Sequence, residues 1–421
     1  MVYTEKMTKG ACMNVLFLTL AEFNSIEDKR HAIYTDLLDM FRKDGHKVYV
    51  ISPLEARNGK STYMVDGVNT HILRLKIGNV QKTNVVKKGI NTLSIEAGFK
   101  NSIKHYFANV KFDLVLYSTP PITFYQAIAY VKRRDNAKTY LLLKDIFPQN
   151  SVDLGMLSKS GVKGRIYRYF RRKERQLYGI SDKIGCMSEA NRRYILMHNS
   201  YVTPEKIEVC PNSVAPRDMS LTSVQRKAIR ERYGLPLEKK IFVYGGNLGK
   251  PQGVDFIIKC LQKQRFDDVF FLIVGSGTEF GKLKEFADSA DKDNVKVMSF
   301  IPKEDYDKLV GSCDVGMIFL DYRFTIPNFP SRLLAYMQAK LPVLCATDPN
   351  TDIGMIAENN GFGISCPSND TNGFIVATQK LLHHNLGVMG EKGYEYLMNH
   401  YAVKQSYEII LNGINNENSS Y

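Results

Sequence analysis

What this 421-residue chain lacks excludes several classes of protein before any motif is read. The early apolar run Val15 to Ala21 is far shorter than the roughly 20 residues a membrane-spanning helix needs. The residues after it, Glu22 to Arg30, are polar and charged rather than a small-residue cleavage site, so neither a signal peptide nor a transmembrane helix is expected. The seven cysteines (Cys12, Cys186, Cys210, Cys260, Cys313, Cys345, Cys366) are scattered and never form a C-x-x-C pair. That argues against a disulfide framework or a zinc site and fits a reducing cytoplasm. The eight histidines contain no H-E-x-x-H, and His383-His384 reads as a helix end. No C2H2 spacing, RNP-like aromatic strand or basic region with heptads appears, so nucleic acid is not expected as a partner.

What is present is a globular chain, 44% apolar and long enough for two domains of ordinary size. Its formal charge of +14, from 57 Lys and Arg against 43 Asp and Glu, favours an anionic partner such as nucleic acid, an anionic membrane surface or a phosphorylated substrate, and charge alone does not choose among them.

The stretch Ile241 to Val254 organises the rest. An apolar strand breaks into closely spaced glycines and one lysine, and a helix begins at Val254. Strand, glycine-rich turn and helix together make a phosphate cradle, because bare backbone N–H groups, a helix N-terminus and Lys250 all attract an anion. The same pattern also reads as a plain strand-to-helix turn of an α/β domain.

Taken in order, Met13 to Thr19 is a continuous apolar run of the kind buried in a parallel sheet, followed by a helix over His31 to Lys43 and a strand over Lys47 to Ser52. The first turn lacks G-x-G-x-x-G, which counts against a dinucleotide site and a nicotinamide oxidoreductase. Further strands are expected at His71 to Leu75, Phe112 to Tyr117, Thr139 to Leu143, Lys183 to Met187 and Ile207 to Cys210, with a helix over Ile95 to Phe107. This alternation implies a doubly wound parallel domain whose strand ends share one ligand-binding edge. At that edge Lys144 and Asp145 follow Leu141-Leu-Leu143; a charged pair there is a local ion pair, a helix cap or a functional pair.

Residues Ser160 to Ile180 form the most basic segment, with Arg165, Arg168, Arg171 and Arg172 interleaved among Val162, Ile166, Tyr169 and Phe170. Such a helix either lies on anionic lipid or packs its apolar face on the core, and periodicity does not choose between the two. The prolines and turn residues of Pro211 to Pro216 mark a domain boundary.

The second half restarts the β-α pattern with strands at Ile241, Val269 to Val274, Val295 to Phe300, Val315 to Leu320, Pro342 to Ala346 and Gly361 to Ser365. The turn Phe324 to Arg332 leads into a helix over Leu333 to Ala339, which Ser331 is expected to cap. Arg332 and that helix end offer a second anion site, so that Lys250 and Arg332 would grip a diphosphate from two sides. The strings Asp291-Lys-Asp293 and Asp305-Tyr-Asp307 read as solvated surface charge rather than metal ligands.

The blocks Tyr244 to Lys250 with Gln252-Gly253, Val274-Gly-Ser-Gly277, Asp314 to Phe319, and Pro330-Ser-Arg332 to Val343 resemble successive motifs of family 4 glycosyltransferases. Ile33 to Asp39, Asp44 to Val48, Lys144 to Pro148 and Pro211-Asn212 extend the resemblance over nearly the whole chain. It implies the GT-B fold, two Rossmann-like doubly wound α/β domains facing a cleft. The expected division is an acceptor domain over 1–215, a donor domain over 216–395, and a C-terminal helix over 396–421 returning to the first domain.

The implied activity is transfer of a sugar from a nucleotide-sugar, most simply a UDP-sugar, with retention of configuration, in bacterial surface-polysaccharide assembly. No cofactor or metal would be required. By position, Gly246, Asn247, Lys250, Gly275, Ser331 and Arg332 would meet the donor, and Phe300 to Pro302 would hold the base. Asp145, with Lys144, would orient or deprotonate the acceptor hydroxyl, its carboxyl ionising well below neutral pH as is usual. The resemblance implies a lipid-linked or glycan acceptor, commonly a lipid-linked diphosphate glycan, in which case the basic helix would place the enzyme peripherally at the inner face of the cytoplasmic membrane. Two departures stand out. Pro327 and Ala335 occupy the positions of the family's paired glutamates, and Asn247 and Gln252 those of its first-turn Arg and Lys. A sugar-nucleotide epimerase of the same fold and a non-catalytic assembly subunit therefore stay open.

Overall fold

The computed structural model describes residues 12–26, 32–79, 85–289 and 293–415, with the backbone alone over 85–94. Among these residues the chain forms two sheets. The first contains β1 (Asn14–Leu18), β2 (Lys47–Glu55), β3 (Tyr63–Gly67), β4 (Thr70–Ile77), β5 (Leu114–Ser118), β6 (Lys138–Leu143), β7 (Lys183–Cys186) and β8 (Ile207–Val209). Their order is β3-β4-β2-β1-β5-β6-β7-β8, parallel except for the hairpin strand β3. The second contains β9 (Lys240–Asn247), β10 (Val269–Ser276), β11 (Val295–Met298), β12 (Val315–Phe319), β13 (Val343–Thr347) and β14 (Gly363–Pro367), all parallel, in the order β11-β10-β9-β12-β13-β14.

Continuous apolar strands such as Val15 to Leu18 and Ile241 to Tyr244 are fully buried because helices cover both faces of each sheet. In each sheet the order reverses beside a central strand, at β1 with β5 and at β9 with β12. Crossover connections leave in opposite directions there, which opens a crevice at the carboxyl ends of the strands.

Two segments join the sheets. After helix Leu386–His400 the chain pairs Ala402 with Val214, and helix Val403–Asn415 then lies on the first sheet with Tyr407, Ile410 and Ile414 in its core. His46 Nε2 meets the Tyr407 hydroxyl at 3.2 Å, and that hydroxyl donates to Asp44. In the other direction, the loop after β12 sends Phe324 and Ile326 into the core of the first sheet. Burying two such side chains contributes about 1.5–3 kcal/mol each. Asp153 fixes the loop by accepting Thr325 N at 2.8 Å and Thr325 Oγ1 at 2.9 Å, and the Asn191 amide donates to Pro327 O at 2.8 Å.

The sequence reading missed β3 and the helices Tyr125–Asp135 and Ile353–Asn359, and began helix Val85–Tyr106 ten residues late, at Ile95; the helix end expected at His383-His384 is that of helix Thr371–His383. Asp291 and residues 27–31 lie outside the described residues.

Candidate functional site

The carboxyl end of β6 delivers Lys144 and Asp145 to the crevice. The Thr119 hydroxyl accepts both of their backbone N–H groups, at 3.0 and 3.1 Å, and donates to Asp145 O. This fixes the backbone where the strand ends. The Asn150 amide then donates to both Asp145 carboxylate oxygens, each at 2.9 Å. Burial pushes the Asp145 carboxyl up to about 6, against the lowering effect of that Asn150 bond. The expected ordinary carboxylate is thus corrected: with no cation paired to it, desolvation outweighs hydrogen bonding. Burial likewise brings the Lys144 amine down to about 8, and its Nζ lies 3.4 Å from Cys210 O.

Facing them, β9 ends in Gly245-Gly246-Asn247. Gly246 has φ +132, and a Cβ there would lie 3.3 Å from Arg332 Nη2, so only glycine leaves the guanidinium this close to the backbone. The Arg332 guanidinium stacks on the Tyr244 ring at 4.1 Å, with Tyr306 and Tyr336 adjoining it. Such stacking holds a buried guanidinium without neutralising it. Its Nη1 is buried and has no partner; the same holds for Asn328 Nδ2 and Gln338 Oε1, and all three residues line one cavity. Buried polar groups are seldom left unpaired, so three of them converging mark a place built for a polar ligand.

That cavity, 670 Å³, runs from Asp145 and Asn150 to Gly246, Arg332 and Lys303. A second lobe of 430 Å³ continues past Gly275, Ser276, Phe300 and Ile301, with Arg332 and Lys303 common to both. The whole cleft is therefore long, lined on one side by the first domain and on the other by the second, with two cations at its middle.

Comparison with known proteins follows the same division. The description "Glycosyltransferase Family 4" matches residues 33–218 and "Glycosyl transferases group 1" matches 225–396. The chain belongs to the family 4 glycosyltransferases. Among curated relatives it is 24% identical over 301 residues to the probable glycosyltransferase WbjE of Pseudomonas aeruginosa, covering 70% of this chain and 72% of that one. It is 23% identical over 250 residues to the putative colanic acid biosynthesis glycosyl transferase WcaI of Escherichia coli K12, covering 58% and 60%. Sucrose-phosphate synthase of Thermosynechococcus elongatus superposes with TM-score 0.71 at 12% identity over 97% of this chain and 100% of that one. HepE of Anabaena in complex with UDP superposes with TM-score 0.64 at 14% identity over 95% and 99%. The fold of this glycosyltransferase is GT-B.

Several expected site residues stand elsewhere in the glycosyltransferase. Lys250 lies outside the cleft, in a separate cavity on the far side of the turn Lys250–Gln252. A helical turn points successive side chains in different directions, and here Gln252 faces the cleft instead, its Oε1 accepting from Asn247 Nδ2 at 3.2 Å and Gly249 N at 3.1 Å. Lys250 and Arg332 therefore do not line one cavity as expected, and the cation beside Arg332 in the cleft is Lys303. Lys303 was missed, although it directly follows the Phe300 to Pro302 segment assigned to the base.

Ser331 lines the cleft but does not cap helix Arg332–Gln338 with its side chain, because its own backbone is already helical at φ −63 and ψ −15. Gly275 is required for packing: a Cβ there would fall 1.9 Å from Gly246 O. Phe300 is 70% exposed beside the second lobe, and Pro302 serves as the residue before helix Lys303–Gly311. In that helix Asp305 pairs with Arg232 at 3.7 Å and Asp307 with Lys303 at 2.8 Å. Asp307 lines the second lobe, which corrects its reading as solvated surface charge.

On helix Gly161–Ile180, Arg165, Arg168 and Arg172 are exposed, whereas Arg171 is half-buried and already ion-paired. It pairs with Glu174, which is fully buried, and donates to Asn199 Oδ1 at 3.1 Å. A buried carboxylate needs that partner, and three-residue spacing puts the two on one helix face.

Proposed function

We propose that this glycosyltransferase moves a sugar from a UDP-sugar to a lipid-linked or glycan acceptor in bacterial surface-polysaccharide assembly, with retention of configuration and without a metal. The observation that carries the reading is the buried Arg332 guanidinium held against Gly246, with Nη1 unpartnered in the cleft. Cleavage of the anomeric C–O bond sends its electron pair to the nucleoside diphosphate. Fixed positive groups stabilise that charge, and Arg332 supplies one, with the half-exposed Lys303, held by Asp307, beside it.

In this reading the base lies in the lobe beside Phe300 and Ile301, the diphosphate at Gly246, and the sugar toward Asn328, Gln338 and Asp145. Asp145 takes the acceptor hydroxyl proton and is mostly ionised at neutral pH with its carboxyl near 6. The solved complexes of HepE with UDP and with UDP-glucose support UDP as the donor base, and the colanic acid assignment of WcaI supports polysaccharide assembly.

Among the described residues no helix is long and apolar enough to cross a membrane. Exposed Met156, Val162 and Ile166 beside Arg165, Arg168 and Arg172 support peripheral docking at the inner face of the cytoplasmic membrane.

The test is a melting-temperature panel of UDP, GDP, dTDP and CMP on the wild type and Arg332→Ala. Selective stabilisation by UDP, absent in the variant, is expected. No response to any nucleotide would overturn the reading in favour of a non-catalytic assembly subunit.

A further inference from the structure

Back to back with the catalytic cleft lies the 410 Å³ cavity that contains Lys250. The turn Lys250–Gln252 and the segment 320–323 form the wall between the two: Gln252 and Leu320 face the cleft, while Lys250, Tyr322 and Arg323 face the second cavity. Asp321 N donates to Pro251 O at 2.9 Å across that wall.

Its chemistry differs from that of the cleft. Lys250, Lys259 and Arg323 are matched by Asp255, Glu279 and Asp321, so the lining carries no net charge. Asp321 is held by Arg323 at 2.7 Å, and Asp255 pairs with Lys282. Two helices begin here, but both amino ends already have a carboxylate. Asp370 accepts Asn372 N at 3.0 Å, and helix Val254–Lys263 carries Asp255 in its first turn. A phosphate or other strong anion therefore gains little in this place.

What remains is a dense set of alternating donors and acceptors beside one aromatic face. Tyr322 is 41% exposed at the cavity, and Asn369 adds an amide to its lining. The Ser368 hydroxyl is buried at 5% exposure and has no hydrogen-bond partner. A buried hydroxyl left unpaired costs free energy that a bound ligand with hydroxyls of its own would recover. A neutral polyhydroxylated ring uses both members of each charged pair through its O–H groups and lays its C–H face on an aromatic ring.

We infer that this cavity is a second, non-catalytic saccharide site of the donor domain, for neutral sugar residues, separated from the cleft by the Lys250–Gln252 turn. Its volume suits one or two sugar rings. Because its wall continues into the loop that carries Phe324 and Ile326, a glycan held there lies beside the segment that joins the two domains.

The chain contains no tryptophan, so Tyr322→Trp installs a single fluorescent reporter at the site. The variant is titrated with glucose, galactose, N-acetylglucosamine and chitotriose, and separately with pyrophosphate, each with and without saturating UDP. A saturable change with at least one sugar, unaltered by UDP and weakened roughly tenfold by Arg323→Ala, is expected. Three results would overturn the inference: no saturation with any sugar, saturation with pyrophosphate, or loss of the sugar response when UDP is present. Saturation-transfer NMR of the wild type with the same sugars gives a reading free of the substitution. UDP stabilisation of the Tyr322→Trp variant reports the catalytic cleft on its own, so failure of this site leaves the proposed reaction standing.

Discussion

Asn150 donates its side-chain amide to both carboxylate oxygens of Asp145, each at 2.9 Å. The bond favours the ionised carboxylate and so lowers a carboxyl that burial has raised to about 6. If Asp145 is the base, kcat/KM rises with pH through about 6 and levels above it. Asn150→Ala removes the lowering influence, and the acid limb moves to higher pH while the plateau is kept. A pH–rate profile of the two proteins checks this, and an unmoved limb would separate Asp145 from the proton transfer.

The same carboxyl sets a stability prediction of definite sign. A folded-state value of about 6 lies above the ordinary 3.8, so the folded protein holds a proton that the unfolded chain has released between those values. Stability falls as pH rises through that window and stays lowered above it. Asp145→Asn abolishes transfer yet stabilises the protein at pH 8 by on the order of 2 kcal/mol, an advantage that shrinks toward pH 4. Chemical denaturation at the two pH values measures it.

Gly246→Ala places a methyl 3.3 Å from Arg332 Nη2 at a backbone φ of +132. Both effects act on the diphosphate grip, so UDP affinity is expected to fall by roughly 10–100-fold with a smaller loss of stability. Calorimetric titration of UDP decides. Lys303→Ala should weaken UDP in the same direction, and Lys250→Ala should leave it unchanged.

Phe324 belongs to the second domain by sequence but is buried at 3% exposure in the core of the first. Phe324→Ala is expected to cost about 3 kcal/mol and to lower the cooperativity with which the domains unfold. Two calorimetric transitions in place of one would be the clearest sign.

For the membrane reading, binding to anionic vesicles should fall with salt and with the pair Arg165→Glu and Arg168→Glu, without loss of fold. Arg171→Glu is expected to behave differently and unfold part of the helix, because it strands Glu174, whose carboxyl burial already pushes up to about 7. Circular dichroism separates the two effects. Vesicle binding insensitive to salt would remove the proposal.

The sequence by itself determined the alternation of strands and helices, the glycine-rich end of β9, the strand-end pair Lys144-Asp145 and the arginine at 332. Each rests on local chemistry: apolar runs make buried strands, glycines permit close backbone approach, and strand ends in a parallel sheet share one edge. Tertiary structure alone decided which cations face the cleft. Lys250 and Gln252 are two residues apart on one turn and point into different cavities, while Lys303 arrives from another strand end. It alone decided that Arg171 is consumed by Glu174, that Phe324 and Ile326 complete the other domain's core, and that burial lifts Asp145. Periodicity assigns a residue to an element and a face. What that face meets, and how much water remains there, depends on chain segments far away in sequence.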